Sequence, residues 1–401
     1  MANPSHSSPA NTRQAPSITT GIPPTVGIIG GGQLSQMLCL AATQLGLRTA
    51  TVERSASCPA ATVSGRHLVG DWNDPEVLRQ LAKHSDVLTL ENEFVAAESL
   101  QILETENIFI RPGSICLRTI QDKLVQKQTL KAAALPTPLF RDTPDQAALE
   151  AAGVEFGYPF VLKRRRNGYD GKGNFTLHSA DDLRAAWDHL DGDHHGLFAE
   201  AFCPFKAEVA VMVCRSINGE GAVYPVVETI QKNHICHVVK APGAFSPEAQ
   251  QKALAIAQQA VATVDGLGAI GVELFLTEDD EIVINELAPR VHNSGHYTIE
   301  ACYTSQFENH LRAILGLPLG DTSLLKPAAV MINILGDGPG GAFPGGVEQA
   351  LATKGVHFHL YGKEKSQTGR KMGHLTVLGD DMDKTLKTAH DAASSISFVS
   401  R

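Results

Sequence analysis

Long hydrophobic runs, paired cysteines and a surplus of basic residues are all missing from this sequence of 401 residues. No apolar run reaches the roughly 18 residues that a membrane-spanning helix needs, so we expect no membrane span. The formal net charge of −9 argues against a general nucleic-acid-binding surface, which needs clustered positive charge. The 7 cysteines are scattered without a CxxC pair, so we expect reduced thiols in the cytoplasm rather than disulfides or a zinc site.

Several catalytic signatures are also absent. The sequence contains no GxxxxGK[ST] motif, no HRD or DFG motif and no Ala-Met-Lys-Met sequence. These absences exclude a P-loop protein, a protein kinase and a biotin carrier. Residues 1–24 are rich in Ser, Thr, Pro and Ala and have no apolar h-region, so we expect a disordered leader rather than a secretory signal.

The composition, with 43% hydrophobic and 19% charged residues, is ordinary for a globular protein, and the length suggests two or three domains. The first ordered segment predicts a strand, a glycine turn, a helix and a second strand, ending at Glu53. A βαβ unit of this kind begins a parallel sheet, so the predicted fold class is α/β, with α+β parts. We expect residues 25–115 to form an N-terminal parallel-sheet domain, 116–318 a central domain and 319–401 a C-terminal domain.

Other strands and helices follow the same kind of pattern. We expect a short strand at 108–110, one helix at 120–133 and one strand at 222–229. The residues after 318 read as rich in loops.

The glycine turn Gly30-Gly31-Gly32 nearly fits the dinucleotide-binding fingerprint. Gly30 and Gly32 have the right spacing, Ser35 stands where the third glycine belongs, and Glu53 ends the second strand where a ribose-binding acid would sit. We favour a phosphate at the N-terminus of the following helix, bound by backbone N–H groups. An NAD-binding oxidoreductase is the alternative that this turn leaves open.

A lysine and a glycine-rich stretch indicate a nucleotide site. Lys163 ends an apolar strand, and the sequence GYDGKG follows at 168–173. The glycines free the backbone to approach phosphates, and the lysine neutralises their charge.

Two carboxylates in a predicted hairpin indicate a metal site. Glu273 and Glu286 lie on strands joined by a tight turn, and Asn285 stands beside the second. Oxygen ligands of this kind suit Mg²⁺, whose remaining positions are filled by water and ATP phosphates. Together with Lys163 and the glycine-rich stretch, the hairpin predicts phosphoryl transfer from MgATP.

The order of these features resembles the ATP-grasp superfamily, over residues 25 to about 380. Within it, GYDGKG at 168–173, ELAPRVHNSGHYT at 286–298 and RKMGH at 370–374 are similar to the N5-carboxyaminoimidazole ribonucleotide synthetases. The resemblance implies an ATP-grasp fold with a Rossmann-like first domain, a lid at about 136–206 and a small C-terminal domain. It also implies ATP-dependent carboxylation of 5-aminoimidazole ribonucleotide by bicarbonate, through carboxyphosphate, in purine biosynthesis.

The resemblance further implies roles for single residues. The residues that would contact ATP are Arg111, Lys163, Gly168, Tyr169, Asp170, Gly171, Lys172, Gly173, Asn174, Glu200, Ala201, Phe202, Cys203, Glu208, Gln231, Asn285 and Glu286. Those that would contact the ribonucleotide are Gly32, Gln33, Glu91, Tyr169, Asp170, Lys172, Ser294, Lys363 and Arg370. The chemistry would involve Asp170, which would accept a proton from the amine, and Arg290, His292 and Asn293. Mg²⁺ would be held by Glu273 and Glu286.

The implied cofactors are ATP and Mg²⁺, without biotin, and the implied partners are small molecules, with no nucleic acid and no membrane, in a cytoplasmic homodimer. The chain departs from the family pattern at Val291, where proline is usual, at Gln231, where histidine is common, and in the turn 90–94. A formate-dependent glycinamide ribonucleotide transformylase and a non-catalytic ATP-binding module are the other alternative hypotheses.

Overall fold

The computed structural model describes residues 21–168 and 173–398. Its N-terminal part is a parallel sheet with helices packed against it. In chain order its elements are β1 (Thr25–Ile29), α1 (Gln33–Gln44), β2 (Arg48–Glu53), β3 (Arg66–Val69), α2 (Pro75–Ala82), β4 (Val87–Leu90) and α3 (Ala97–Thr105). The strand order is β3-β2-β1-β4 and each pairing is parallel, which confirms the predicted parallel sheet.

The glycine turn and the end of β2 lie at the same edge of this sheet. Strands β1 and β4 are mostly apolar and buried, whereas the edge strand β3 has no fully buried residue. Gly30 has a φ of 109°, which favours glycine, and the chain then enters α1 at Gln33. Since β1 and β2 run in parallel, with Ile29 opposite Val52, the turn and Glu53 come together at the carboxyl edge.

Helices α4 (Ser114–Gln121) and α5 (Lys123–Ala132) follow. The predicted helix at 120–133 corresponds to α5, but it begins only after Asp122, whose backbone is extended and whose carboxylate caps the N-terminus of α5. The preceding helix α4 was not predicted. The predicted strand at 108–110 is wrong. Ile110 makes only an isolated bridge to Leu88.

A separate antiparallel sheet occupies the segment that we predict to be the lid, 136–206. Its elements are β5 (Phe140–Thr143), α6 (Gln146–Phe156), β6 (Phe160–Arg164), β7 (Asn174–Leu177), α7 (Leu183–His189) and β8 (Leu197–Ala201). The strand order is β5-β8-β6-β7. The glycine-rich stretch connects β6 and β7, and its residues 169–172 lie outside the described residues.

The largest sheet in the described part of the chain runs from the centre of the sequence to its C-terminal part. Its strands and the helices around it are β9 (Ala207–Arg215), β10 (Gly221–Val223), β11 (Val227–Lys232), β12 (Ile235–Ala241), α8 (Pro247–Thr263), β13 (Gly268–Leu276), β14 (Ile282–Ala288), α9 (Thr298–Ala301), α10 (Gln306–Leu315), β15 (Ala328–Leu335), α11 (Val347–Ala352), β16 (Val356–Leu360), β17 (Lys371–Gly379) and α12 (Met382–Ser394). The strand order is β14-β13-β9-β11-β12-β15-β17-β16, and β10 pairs with β9.

Two predictions for this region are wrong. The single strand expected at 222–229 is divided into β10 and β11 around Pro225, which has no N–H to donate to a sheet. The residues after 318 are not mainly loop, because they supply β15, β16 and β17 and two helices. β15 pairs with β12, with Val239 opposite Met331, so the C-terminal part of the chain continues the central sheet.

No helix within 21–168 or 173–398 is both long and apolar enough to cross a membrane. The cysteines all lie in the described residues, and none of them forms a disulfide.

Candidate active site

Two carboxylates face each other on the hairpin β13–β14. Glu273 pairs directly with Glu286 across the strands, and about a third of each side chain is exposed. Burial, followed by the charge of the facing Glu286, raises the pKa of Glu273 to about 8. Burial also opposes ionisation of Glu286, but the ammonium of Lys123, which contacts its Oε2, outweighs this effect and lowers the pKa of Glu286.

This pair fits a magnesium ion shared with a nucleotide. Mg²⁺ is usually bound by one or two carboxylates together with water and substrate phosphates. In the described residues, no group of three or more His, Cys, Asp or Glu side chains could hold a metal by itself. A cation placed between Glu273 and Glu286 would relieve the repulsion between their charges.

Three lysines lie beside this pair. Lys163 and Lys127 contact the two oxygens of Glu200, with Nζ–O distances of 2.6 Å and 2.8 Å. Burial works against the charge of Glu200, but the two lysines outweigh it and lower the pKa of Glu200 to about 2. Lys123 and Lys127 stand one helical turn apart on α5, so the helix presents one ammonium to Glu286 and the other to Glu200. The arrangement concentrates positive charge where ATP phosphates would lie.

Sequence reasoning did not select Lys123 or Lys127 as site residues. The available signal was their i, i+4 spacing directly after the N-cap Asp122, since this spacing places two side chains on the same face of a helix.

The residues predicted to bind the adenosine part of ATP come from three strands. One group lies at and after the end of β8, Glu208 lies on β9, and Gln231 lies on β11. Phe202, with 46% of its surface exposed, and the half-buried Cys203 come directly after Ala201 at the end of β8. Burial raises the pKa of Glu208 on β9, and a side-chain hydrogen bond with Gln231 on β11 opposes this shift. The structure thus places Gln231 beside Glu208.

The loop after β14 carries the residues predicted to act on bicarbonate. Arg290 makes two contacts with Glu93, at 2.5 Å from Nε and 2.8 Å from Nη2. Burial, followed by the positive charges of Arg290 and Lys371, lowers the pKa of His292 to about 3. The imidazole is therefore neutral at physiological pH, with its Nε2 3.5 Å from Oε1 of Glu273.

Two buried amides hold this loop in place. The Gln306 carboxamide accepts the His292 N–H at 2.9 Å and donates to the His292 carbonyl at 2.7 Å. The carboxamides of Asn293 and Asn333 donate to each other, at 2.9 Å and 2.6 Å. Ser294 places its hydroxyl 2.9 Å from Nδ1 of His292. Neither Gln306 nor Asn333 was predicted, because a buried amide far away in the sequence gives no local signal.

The glycine turn and the C-terminal segment form opposite walls of one cleft. The cleft has a volume of about 490 Å³, and its lining includes Gly31, Gly32, Gln33, Glu53, Lys363 and Arg370. Arg370 is exposed, and its Nη1 donates to the carbonyl of Lys365 at 2.7 Å. The structure therefore brings together the predicted substrate contacts from both ends of the chain.

Glu91 lies beneath the glycine turn. Burial raises the pKa of its carboxylic acid. A Cβ atom at Gly32 would come within 2.2 Å of Glu91 Oε1, so a larger residue there would displace the Glu91 carboxylate. Glu91 and Gly32, both predicted substrate contacts, are thus neighbours.

Arg111 lies apart from these groups. Its guanidinium is buried, donates to the Ile314 carbonyl and lies over the Phe109 ring. Burial lowers its pKa. The predicted contact of Arg111 with ATP phosphates stays a prediction, and its guanidinium joins the first domain to α10.

Part of the predicted lid is described. Gly173, with a φ of 95°, lies close to Gly168 at the base of the loop, and Asn174 pairs with Lys163 at the start of β7. The other predicted lid residues lie outside the described residues, namely Tyr169, Asp170, Gly171 and Lys172.

The chain matches three family models. These are the ATP-grasp domain at residues 128–307, the ribonucleotide synthetase preATP-grasp domain at 24–121 and the phosphoribosylaminoimidazole carboxylase C-terminal domain at 329–388.

Two curated relatives and a solved structure illustrate the similarity. Phosphoribosylaminoimidazole carboxylase of Schizosaccharomyces pombe is 44% identical, over 88% of this chain and 65% of that protein. This chain therefore spans slightly less than two thirds of that relative. N5-carboxyaminoimidazole ribonucleotide synthase of Synechococcus elongatus is 43% identical, over 88% of this chain and 89% of that protein. N5-carboxyaminoimidazole synthase of Aspergillus clavatus, solved with ADP and 5-aminoimidazole ribonucleotide, superposes with a TM-score of 0.86 at 38% identity, over 93% of this chain and 98% of that one.

Proposed function

Because this chain belongs to the N5-carboxyaminoimidazole ribonucleotide synthetase family of ATP-grasp proteins, we propose that it carboxylates 5-aminoimidazole ribonucleotide with bicarbonate and ATP. The products are N5-carboxyaminoimidazole ribonucleotide, ADP and phosphate, and the pathway is purine biosynthesis. The observation that carries this proposal is the Glu273–Glu286 pair, with Lys123, Lys127 and Lys163 beside it.

The nucleotide end of the site supports phosphoryl transfer. Glu273 and Glu286 would hold Mg²⁺, which supplies charge neutralisation to the phosphates when it is bound. The three lysines would stabilise the charge on the phosphoryl oxygens as an oxygen of bicarbonate attacks the γ-phosphorus and ADP leaves. The product of this step is carboxyphosphate.

The loop after β14 supports the second step. Arg290 would bind the carboxyl group of carboxyphosphate, and Glu93 orients the guanidinium. The neutral His292 would donate or accept a hydrogen bond at this group without adding charge. Attack by the N5 amine on the carboxyl carbon, or on carbon dioxide released beside it, would form the carbamate and free phosphate. Asp170 remains the proposed acceptor of the amine proton, in the segment outside the described residues.

Closure of the site has a chemical purpose in this scheme. Carboxyphosphate hydrolyses in open water, so a lid that excludes water would protect it. We propose that the sheet β5-β8-β6-β7 and the loop between Gly168 and Gly173 act as this lid. We also propose that the enzyme is cytoplasmic and forms a homodimer. Light scattering of the purified protein would test the homodimer by measuring its mass.

The decisive experiment measures ADP release with each substrate supplied or omitted. ADP should appear at the full rate only with 5-aminoimidazole ribonucleotide and bicarbonate together. Turnover that depends on formate and glycinamide ribonucleotide would contradict the proposal in favour of the formyl-transferring relative. ATP binding without turnover under any combination would favour a non-catalytic module.

A further inference from the structure

Glu53 has a position that the proposed chemistry does not yet use. It is the last residue of β2, at the carboxyl edge of the parallel sheet. Its Oε2 accepts the Gly31 N–H at 3.0 Å and its Oε1 accepts the Arg54 N–H at 2.7 Å. These two backbone donors fix the orientation of the carboxylate and leave a further lone pair on each oxygen.

No side-chain cation neutralises Glu53 in the described part of the chain. The neighbouring Arg54 turns away, because its guanidinium contacts Asp71 at 2.9 Å and lies over the Trp72 ring. The other acid at the glycine turn, Glu91, is buried, whereas Glu53 forms part of the cleft wall. Glu53 is therefore the acceptor that the sheet presents to a molecule in the cleft.

The two walls of the cleft differ in charge. Glu53 stands on the sheet side, whereas the C-terminal side is positive overall, with Lys363, Lys365 and Arg370 against the single acid Glu364. A ribonucleotide has the complementary pattern, since its phosphate is an anion and its vicinal hydroxyls are hydrogen-bond donors. The volume of about 490 Å³ is within the range of small-molecule sites. The Glu53 carboxylate would repel a phosphate. The ribonucleotide would therefore bind with its phosphate toward the C-terminal wall and its ribose hydroxyls toward Glu53.

We propose that Glu53 binds the ribose hydroxyls of the ribonucleotide substrate and makes the enzyme prefer ribose to 2′-deoxyribose. This role of Glu53 rests on the proposed function. A carboxylate at the end of the second strand of a βαβ unit is suited to this task, because it accepts hydrogen bonds from a vicinal diol. Lys363 and Arg370 would then bind the phosphate at the opposite wall.

The test compares two substrates in two proteins. We would measure kcat/KM, by ADP release, for 5-aminoimidazole ribonucleotide and for its 2′-deoxyribose analogue, with wild type and Glu53→Gln. Wild type should prefer the ribose form by about tenfold to a hundredfold, which is the effect of one charge-assisted hydrogen bond. Glu53→Gln keeps the size of the side chain and one oxygen to accept the Gly31 N–H, but it removes the charge and the acceptor for the Arg54 N–H. Its preference for ribose should be about tenfold smaller than that of wild type.

The matched control is Glu364→Gln, which removes a carboxylate that also lines the cleft but belongs to the C-terminal wall. It should retain the preference for ribose. An equal loss with both substrates in Glu53→Gln would overturn the proposal and assign Glu53 to support of the glycine turn. If the variant does not fold, the wild-type measurement still tests the proposal. Equal kcat/KM values of wild type for the ribose and 2′-deoxyribose substrates would overturn the proposal. Absence of turnover with the ribose substrate would overturn the proposed function itself, together with the inference.

Discussion

At the scale of single residues, charge determines what the site can bind. Three lysine ammoniums lie beside the facing carboxylates of Glu273 and Glu286. Some of these charged groups form an ion pair with a side chain of opposite charge, and others do not. Lys127 and Lys163 share Glu200, and Lys123 contacts Glu286. Glu273 has no lysine or arginine ion pair within the described ranges, so it is the group that most needs a cation.

Glu273→Gln should therefore abolish ADP formation while the protein stays folded. The change removes the negative charge that the metal needs, and the loss should be roughly a hundredfold or more, because the metal supplies several kcal/mol of stabilisation. Circular dichroism would check the fold, and ADP release at saturating Mg²⁺ would check the activity. Glu281→Gln is the control, since Glu281 lies in the same hairpin, is exposed and makes a surface ion pair with Lys252 of α8. Near-normal turnover of the Glu273 variant would refute the metal assignment.

Arg370→Ala should raise the apparent KM for 5-aminoimidazole ribonucleotide about tenfold to a hundredfold. A charge-assisted hydrogen bond to the phosphate contributes about 1.5–3 kcal/mol, and about 1.4 kcal/mol corresponds to a factor of ten. The KM for ATP should change little, because the proposed ATP site lies at the lysine cluster instead. Arg184→Ala, an exposed arginine on α7, is the control. A loss confined to ATP would remove the C-terminal wall from the substrate site.

At the scale of elements, the loop after β14 depends on its neighbours. α10 supplies Gln306, which pairs with both backbone groups of His292, and β15 supplies Asn333, which pairs with Asn293. These contacts join a helix, a hairpin and a strand from separate parts of the chain. The geometry of the loop is therefore a property of three elements packed together.

Gln306→Met should lower both stability and turnover. The N–H and the carbonyl of His292 would lose their partners in a buried place, at a cost of about 1–3 kcal/mol for each unpaired group. The displaced loop should also lower kcat about tenfold or more, with little change in the KM for ATP. Thermal unfolding and steady-state kinetics would measure the two effects, and Gln258→Met on the exposed side of α8 is the control. An unchanged kcat in a destabilised variant would show that Gln306 is only structural.

The loop between β6 and β7 should become resistant to protease when ATP binds. Glycines at its base, with Gly173 at a φ of 95°, permit the movement that closes a lid. Limited proteolysis with and without saturating ATP would compare cleavage between Gly168 and Gly173. Cleavage in the turn between β13 and β14 serves as the internal control. Equal rates at the lid under both conditions would contradict a closing lid.

At the scale of the whole molecule, one sheet connects the hairpin β13–β14 to the C-terminal segment that is proposed to bind the substrate phosphate. The strand order passes from β14 and β13 through β12 to β15 and β17. The C-terminal part of the chain therefore supplies strands of the central sheet as well as the proposed contacts to the substrate phosphate.

A chain that ends at residue 318 should fail to fold. Removing β15 would expose the edge of β12, together with apolar residues such as Val238, which packs with Val330 and Ile332 in one buried cluster. An unpaired apolar edge promotes aggregation. Solubility and circular dichroism would test this expectation. A soluble, cooperatively folding fragment would contradict it.

The sequence by itself determined the local features of this protein. The glycine turn, the βαβ order and the hairpin that places Glu273 opposite Glu286 all depend on residues close together in the chain, where periodicity and turn chemistry are informative. The family resemblance extended these features to a function. The sequence did not show that α4 and α5 are separated at Asp122 or that β10 and β11 are separated around Pro225. Such boundaries depend on which backbone groups form hydrogen bonds with one another.

Only the tertiary structure decided which distant groups meet. Lys123 and Glu286 are 163 positions apart, and Arg290 and Glu93 are 197 apart, yet each pair is in contact. Arg111 and Ile314 are 203 positions apart and are also in contact. Contacts of this kind form because the packing of whole sheets and helices brings their faces together, and no local pattern of residues encodes that distance.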